Sequence, residues 1–161
     1  MADFTFKIEQ GMRELTTTGA FLTAKCGDQV NTMTISWGFI GFMWNKPQFI
    51  AVVRPQRYTD EFLKNGTHCF TISIPFEGKL QEELTICGTE SGRDIDKSKV
   101  VHFIPAKSVD CPIVEGCDLY YECKINLAQQ MDGALLAEGI VKQFYQEDYH
   151  WVYIGEMVEV Y

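Results

Sequence analysis

The chain has no long apolar run, no excess of basic residues and few histidines. None of its hydrophobic stretches approaches the ~20 residues that a membrane-spanning helix needs. The first ten residues include Asp3 and Glu9 and lack the apolar core of a signal peptide. We therefore expect a cytoplasmic protein that is not embedded in a membrane.

Basic residues are outnumbered, because 14 Lys and Arg stand against 22 Asp and Glu, for a net charge of −8. Binding to nucleic acid needs a basic face, so this balance argues against a nucleic-acid partner. A small anionic cofactor remains compatible, since it needs only a local positive pocket. An acidic surface also suits docking to redox proteins, although most often it only keeps a protein soluble.

Motifs of metal and nucleophilic chemistry are missing too. No two of the six cysteines have the two-residue gap of a zinc knuckle or a thioredoxin-like motif, and the three histidines are scattered. There is no GxGxxG, HExxH or serine-elbow pattern. We expect no metal site and inert thiols, because free cysteine is commonly buried as a small hydrophobe.

What is present is β-structure, in a chain whose 161 residues predict a single domain spanning 1–161. Residues 119–127 alternate apolar and polar side chains, as does a strand with one buried face. Other β-rich runs predict strands at 19–26, 30–37, 48–53, 70–74, 135–145 and 150–160. The Asp132-Gly133 turn predicts a hairpin over 119–145.

Two short helices are predicted between the strands. One begins at Thr59 as its N-cap and ends at Gly66, and the other spans about 79–87 with Gly88 after it. Strands in runs without a βαβ rhythm favour a barrel over a doubly wound sheet. The predicted fold class is therefore mainly β, with a few short helices.

Three segments differ from the pattern of a plain barrel. The first, NTMTISWG at 31–38, alternates small hydroxylated residues and ends in Trp37, near Gly38 and Gly41. Small polar residues at a strand end let a flat ring approach the backbone and bond its N–H and C=O groups. The pattern also fits a polar-faced strand with Trp37 in a core or an interface.

The second segment is VRPQRYT at 53–59, directly before a predicted helix. Free N–H groups and the dipole at a helix N-terminus favour an anion, and arginine forks match phosphate oxygens. Asp60 and Glu61 weigh against this, because they already complement the dipole. The alternative is that both arginines pair with surface acids.

The third segment is CGTESGRDIDK at 87–97, rich in turn formers and charges. Such a loop can present Lys97 to a negative group and Ser91 or Gly92 to the edge of a ring. It can equally be a solvated loop with local ion pairs of little energetic weight.

In this order and spacing, the three segments resemble the flavin reductase-like family of FMN-binding split barrels, and within it the short flavoredoxin-like proteins. The terminal strand from His150 to Tyr161, with YIGE at 153–156, is similar to the family's closing strand. The resemblance covers the chain from about Gly19 onward. It implies a six-stranded Greek-key split β-barrel, a homodimer, and FMN at the subunit interface.

The resemblance also implies cofactor-binding residues in all three segments. Carried over by position, the first segment would lie along the isoalloxazine and ribityl chain, the second would hold the phosphate, and the third would approach the ring or the phosphate. Asn31 and Met33 would support the residues in contact. The full implied set is Asn31, Met33, Thr34, Ile35, Ser36, Trp37, Arg54, Arg57, Tyr58, Thr59, Ser91, Gly92 and Lys97.

Three functions remain open on this resemblance. The first is an oxidoreductase that takes electrons from NAD(P)H as a transient donor and passes them to a flavin or a downstream acceptor. The alternative is an electron carrier reduced by a partner protein, and the third is a flavin-binding barrel with a structural or sensing role. No general acid or base is expected, because the flavin carries the chemistry.

Overall fold

A computed structural model describes all 161 residues. The chain forms nine strands and four α-helices, with short 3₁₀ turns at 97–99 and 133–135. In chain order the elements are α1 (Ile8–Thr17), β1 (Ala20–Cys26), β2 (Gln29–Ile35), β3 (Gly38–Met43), β4 (Lys46–Val53), α2 (Tyr58–Asn65), β5 (Cys69–Ile74), α3 (Gln81–Thr89), β6 (Phe103–Ile104), β7 (Ile113–Val114), β8 (Leu119–Gln130), α4 (Glu138–Phe144) and β9 (Trp151–Val160). No helix is long and apolar enough to span a membrane.

Seven strands form one antiparallel sheet in the order β2-β1-β5-β8-β9-β4-β3, and β6 pairs with β7 separately. The long β8–β9 ladder runs from Tyr121↔Val160 to Gln130↔Trp151 and has two irregularities. Bulges of this kind bend a strand and increase its twist, which lets a sheet curl around its own core. The predicted fold class, mainly β with a few short helices, is confirmed.

The main core lies on the inner face of this sheet. Aromatic side chains fill its centre, where Phe49 lies 6.3 Å from Phe70 and 5.7 Å from Tyr121 between ring centroids. The alternation predicted for β8 holds for Leu119, Tyr121 and Cys123, all fully buried. Burying such side chains stabilises the fold by about 1.5–3 kcal/mol each.

A second, smaller core positions α3 against the outer face of the sheet. Phe21 from β1 packs there with Leu84 and Cys87 from α3 and with Val101 and Val114. These contacts bring the end of α3, and the loop that follows it, next to β2. The site described below depends on this placement.

The structure corrects the hairpin predicted over 119–145. Residues 135–145 are not a strand, because α4 occupies Glu138–Phe144, and β8 pairs with β5 and β9. The β-branched pair Ile140-Val141 favoured a strand, but Leu136, Ile140 and Phe144 recur every four residues, as in a helix.

Other boundaries differ as well. Thr59 is not the N-cap of α2, because the helix begins at Tyr58 with Arg57 at the cap position. Gly88 lies inside α3 instead of following it. The elements α1 and β3 were not predicted from the sequence, and the main sheet has seven strands where the resemblance implied six.

Candidate functional site

Two adjoining cavities lie beside β2, one next to the start of α2 and the loop after α3, and the other next to the end of β4 and the residue before β9. The smaller one, here called the cation cavity, has a volume of about 160 Å³. The larger one, here called the Trp37 cavity, has a volume of about 330 Å³. Both are lined by Met33 and Arg57, so they are two ends of one groove. The cation cavity is otherwise lined by Asn31, Gln56, Tyr58, Thr59, Gly88, Thr89, Glu90, Ser91, Gly92 and Lys97.

Two cations without acidic partners meet at the cation cavity. Lys97 is only 4% exposed, and its Nζ donates to the carbonyl oxygens of Thr32 (2.7 Å) and Cys87 (3.1 Å). Arg57 Nη2 donates to the same Cys87 oxygen at 3.4 Å. Burial lowers the pKa of both Lys97 and Arg57, and neither forms an ion pair with a carboxylate. Buried charges left unpaired are costly, so this end of the groove favours an anion.

The N-terminus of α2 opens on the same cavity. No side chain caps it, which leaves amide groups of its first turn available to a ligand. The acids expected to complement the dipole are bound elsewhere, since Asp60 accepts from Tyr153 Oη (2.6 Å) and Lys64 Nζ, and Glu61 pairs with Arg93. Asp60 and Glu61 therefore weigh less against an anion site at the start of α2 than the sequence alone indicated.

Thr59 lies in this first turn and is fully buried. Its Oγ1 accepts a hydrogen bond from Asn31 Nδ2 at 2.8 Å. A hydroxyl has one proton to donate, and the Thr59 hydroxyl has no protein acceptor for it. That proton is available to an anion.

The loop after α3 closes the cavity at Gly92. A Cβ at this position would collide with the Asn31 amide and lie 2.9 Å from Tyr58 Cδ2, so only glycine fits. Arg93 fastens the loop to α2, because its guanidinium lies 4.8 Å from the Tyr58 ring centroid and pairs with Glu61. The Ser91 hydroxyl accepts from the Arg93 backbone N–H at 3.1 Å.

The Trp37 cavity is flatter and more apolar. Trp37 is 48% exposed, and its ring lies edge-on to Phe144 at 5.6 Å between centroids. Thr34 Oγ1 donates to the Leu84 carbonyl at 2.6 Å, which ties β2 to α3. The Ser36 hydroxyl forms no hydrogen bond within the protein. The lining residues are Met33, Thr34, Ile35, Ser36, Trp37, Val52, Arg54, Arg57 and His150.

Arg54 lies at the Trp37 cavity and not at the cation cavity. Its Nη1 pairs with Asp148 at 2.7 Å, its Nη2 donates to the Phe144 carbonyl at 2.9 Å, and its guanidinium lies 5.0 Å from the Tyr145 ring centroid. Arg57 lines both cavities and Arg54 lines only the Trp37 cavity, whereas the resemblance implied that both would hold the phosphate.

Sequence reasoning did not include His150 in the site. Its Nδ1 is 2.7 Å from Tyr145 Oη, and its ring centroid is 5.4 Å from that of Trp37. Burial, with a further contribution from Arg54, lowers the pKa of His150 to about 4, so it is neutral at neutral pH. Its place at the start of the last strand was visible in the sequence, but no motif spacing tied it to β2. Val52 also lies outside the three segments, whereas Gln56, Gly88, Thr89 and Glu90 lie within the second and third segments but were not among the predicted site residues.

Solved structures with the same fold include several flavin proteins. Flavoredoxin from Methanosarcina acetivorans matches at 20% identity and a TM-score of 0.71, covering 89% of this chain and 67% of that one. An FMN-binding protein from Thermus thermophilus with bound 1-cyclohex-2-enone matches at 22% identity and a TM-score of 0.70, covering 89% and 68%. The NADH:FAD oxidoreductase SgcE6 from Streptomyces globisporus, in complex with NAD and FAD fragments, matches at 15% identity and a TM-score of 0.68, covering 100% and 85%.

No curated protein sequence matches this chain significantly. The family profile described as "Flavin reductase like domain" matches residues 12–161, nearly the whole chain. The resemblance predicted from the three segments is confirmed, and with it the split-barrel fold. The chain belongs to the flavin reductase-like domain family.

Proposed function

We propose that this chain binds FMN along the groove, with the phosphate in the cation cavity and the isoalloxazine ring in the Trp37 cavity. The observation that carries this proposal is the convergence of Arg57 and Lys97, neither with a carboxylate partner, on the uncapped start of α2. A phosphate ester supplies the negative charge that these groups lack. The adjoining volume of about 330 Å³ falls within the usual range of small-molecule sites.

Each part of the groove has a role in this proposal. Arg57, Lys97 and the Thr59 hydroxyl would hold the phosphate, and Gly92 would let the loop backbone approach it. The β2 residues Thr34 to Trp37 would lie along the ring and ribityl chain. Tyr58 and Asn31 would keep these groups in position, since Asn31 bonds Thr59 and Tyr58 packs on Arg93.

When bound, the flavin supplies electron transfer by accepting a hydride or single electrons. The protein anchors it, excludes water from one side and leaves the exposed side of Trp37 open to a reaction partner. We infer an oxidoreductase that receives electrons from NAD(P)H and passes them to a flavin or to a downstream acceptor. A single domain over residues 1–161 would suffice for this function.

The test of FMN binding compares two ligands that differ only in the phosphate. Arg57→Ala should weaken FMN tenfold to a hundredfold, the effect of losing roughly 1.5–3 kcal/mol from a charge-assisted bond, and leave riboflavin almost unchanged. Arg13→Ala is the matched control, because Arg13 is exposed and pairs only with Glu9. Flavin fluorescence quenching measures both affinities. Equal losses for FMN and riboflavin, or no binding of either by the wild type, would rule the proposal out.

A second candidate is an electron carrier that a partner protein reduces, without NAD(P)H activity of its own. Two observations favour it. Arg93, a cation near the groove, is already bound to Glu61 and Tyr58, and Arg54 to Asp148, so neither is free for an anionic dinucleotide. The net charge of −8 also disfavours a dinucleotide at long range.

Anaerobic mixing separates the two candidates. The FMN-loaded protein is mixed with NADH and then with NADPH, and flavin absorbance is followed. Bleaching within seconds that saturates with nucleotide supports the reductase. If dithionite bleaches the flavin and neither nucleotide does so over many minutes, the carrier is the correct function.

We also propose that two copies form a homodimer with the FMN site at the interface. Exposed aromatic side chains on the edge strand β3 and next to it support this proposal. Trp37 precedes β3 and adjoins the groove, and Trp44 follows β3, so the exposed aromatic surface begins at the proposed FMN site.

A further inference from the structure

Two cysteines distant in sequence bring their sulfur atoms into direct contact. Cys69, the first residue of β5, and Cys111, in the loop before β7, are separated by 42 positions, yet their Sγ atoms lie 2.8 Å apart. A disulfide bond is about 2.05 Å long, so the sulfurs need to approach by only about 0.8 Å. We propose that Cys69 and Cys111 form a redox-active dithiol site, which hydrogen peroxide converts into an intramolecular disulfide.

The surroundings distinguish the two sulfurs. Cys69 Sγ donates to Cys111 Sγ, Cys111 Sγ donates to the Cys69 carbonyl oxygen at 3.0 Å, and Thr67 Oγ1 lies 3.1 Å from Cys69 Sγ. Hydrogen bonding with Cys111, and then with Thr67, lowers the pKa of Cys69, whereas the hydrogen bond with Cys69 and burial raise the pKa of Cys111. Cys69 is also the more accessible, at 5% exposure against none for Cys111. Cys69 is therefore the attacking thiolate and Cys111 the resolving thiol.

The other four cysteines lack this arrangement. Cys87 and Cys123 are buried, and burial raises the pKa of both. Burial also raises the pKa of Cys117. The only hydrogen bond of Cys26 Sγ is the one it donates to the Asn65 carbonyl, at 3.5 Å. None of these four thiols has another sulfur within hydrogen-bonding distance, so oxidation is expected to be selective.

The reaction balances in two steps. The Cys69 thiolate attacks one peroxide oxygen and the O–O bond breaks, which gives a sulfenic acid on Cys69 and hydroxide. Cys111 then attacks the sulfenic sulfur, an S–S bond forms, and water leaves with the proton of the Cys111 thiol. In total, two thiols lose two electrons and two protons, and hydrogen peroxide becomes two waters. A dithiol reductant reverses the change by thiol–disulfide exchange.

The bond would link the start of β5 to the loop that leads into β7. This loop is otherwise held by hydrogen bonds such as that from Thr71 Oγ1 to the Pro112 carbonyl at 2.6 Å. A cross-link over about 40 residues removes unfolded-state entropy, so the melting temperature of the oxidised protein should exceed that of the reduced protein by roughly 5–10 °C.

The experiment maps the linkage in the wild-type protein. The reduced protein is treated with a modest excess of hydrogen peroxide, its remaining thiols are alkylated, and its tryptic peptides are analysed by mass spectrometry. Trypsin releases Cys69 alone in peptide 65–79 and Cys111 in peptide 108–124, where fragmentation distinguishes it from Cys117 and Cys123. The expected product carries four alkylated thiols and a Cys69–Cys111 link. Six alkylated thiols, or a link between any other pair, would overturn the proposal.

Three variants test the assignment of roles. Cys111→Ser should accumulate a sulfenic acid on Cys69 that dimedone traps, and Cys69→Ser should give neither the trapped acid nor the link. Cys117→Ser is the matched control and should keep the link. Loss of the link in Cys117→Ser would contradict the assignment. This inference does not depend on the proposed flavin function, because thiol counting has a readout independent of flavin binding.

Discussion

At the residue scale, Arg57 and Lys97 share one acceptor, the carbonyl oxygen of Cys87. Two like charges that meet in a partly desolvated cavity repel one another, and the interaction with Arg57 lowers the pKa of Lys97 further. The protein free of ligand therefore carries a cost at this point, which an anion in the cavity would offset. Arg57 and Lys97, which favour binding of an anion, thus make the fold less stable when no ligand is bound.

We predict that inorganic phosphate stabilises the flavin-free protein. At a concentration about tenfold above its Kd, phosphate should add about 1.4 kcal/mol and raise the melting temperature by roughly 3–5 °C. Arg57→Ala should abolish most of this increase. Sodium chloride at equal ionic strength is the control for screening, and an equal increase in the wild type and in Arg57→Ala would contradict the prediction.

His150 leads to a prediction about pH. Its pKa is about 4 in the folded protein, chiefly through burial, and about 6.5 in an unfolded chain. Between these values the unfolded state binds more protons, so stability should fall as pH decreases from 6.5 to 4, by at most about 3 kcal/mol. Asp148, the acid paired with Arg54, has a pKa of about 2 and titrates below this window.

The measurement is urea unfolding at several pH values, for the wild type and for His150→Gln. In the variant, the free energy of unfolding should depend much less on pH between pH 4 and pH 6.5. His102→Gln is the matched control, since His102 is exposed and contacts Glu115 at the surface. If the pH dependence of the free energy of unfolding is unchanged in His150→Gln, a group other than His150 causes the loss of stability at acid pH.

At the element scale, local patterns in the sequence predicted most strands and the two helices beside the site. The alternation in 119–127 sufficed to predict β8, although Glu122 is buried as well and Ile125 and Leu127 are only partly buried. It did not suffice for 135–145, where the β-branched pair Ile140-Val141 favoured a strand although Leu136, Ile140 and Phe144 recur at helical spacing. Strand β3 was missed because its apolar and polar residues do not alternate, and its aromatic side chains are exposed and not buried in the core of the chain.

In the candidate site, too, some features could be predicted from the sequence and others could not. The segments that surround the groove were predictable from their own composition, since β2, the start of α2 and the loop after α3 each carry a local pattern. The absence of Arg54 from the cation cavity was not predictable, because Arg54 is held by an ion pair with Asp148, 94 positions away. Long-range contacts of this kind leave no trace in a local pattern.

The loop after α3 gives a prediction at this scale. Gly92→Ala places a methyl group against Asn31 and Tyr58, so the loop must move away from α2 and open the cation cavity. FMN affinity should fall by tenfold or more, with a loss of stability of roughly 1–3 kcal/mol from overpacking. Gly139→Ala is the matched control, because nothing lies within 4 Å of that position.

In Gly139→Ala the added methyl lies within α4, where alanine is the better helix former. Stability should therefore rise by about 0.5–1 kcal/mol without a change in FMN affinity. Thermal unfolding and flavin titration of both variants test the pair. If Gly92→Ala binds FMN as the wild type does, the loop is not part of the site.

At the scale of the whole molecule, the surface has two distinct characters. Acidic residues dominate it, with 22 Asp and Glu against 14 Lys and Arg. The region around β3 differs, because Phe39 is 61% exposed and Phe42 and Trp44 are each 55% exposed. Edge strands with exposed aromatics are prone to pair with another chain, and a specific partner removes that hazard.

The last prediction is that the protein is a homodimer in solution through this aromatic surface. A stable interface of about 1,600 Å² or more would cover the exposed rings of Phe39, Phe42 and Trp44. Phe39→Asp places a charge in that interface, so it should shift the protein to monomers at micromolar concentration and weaken FMN binding together with dimerisation. Leu135→Asp is the matched control, since Leu135 is also exposed and apolar but lies outside β3. Light scattering combined with flavin titration measures both effects, and a wild-type monomer that retains FMN would show that each chain forms a complete site alone.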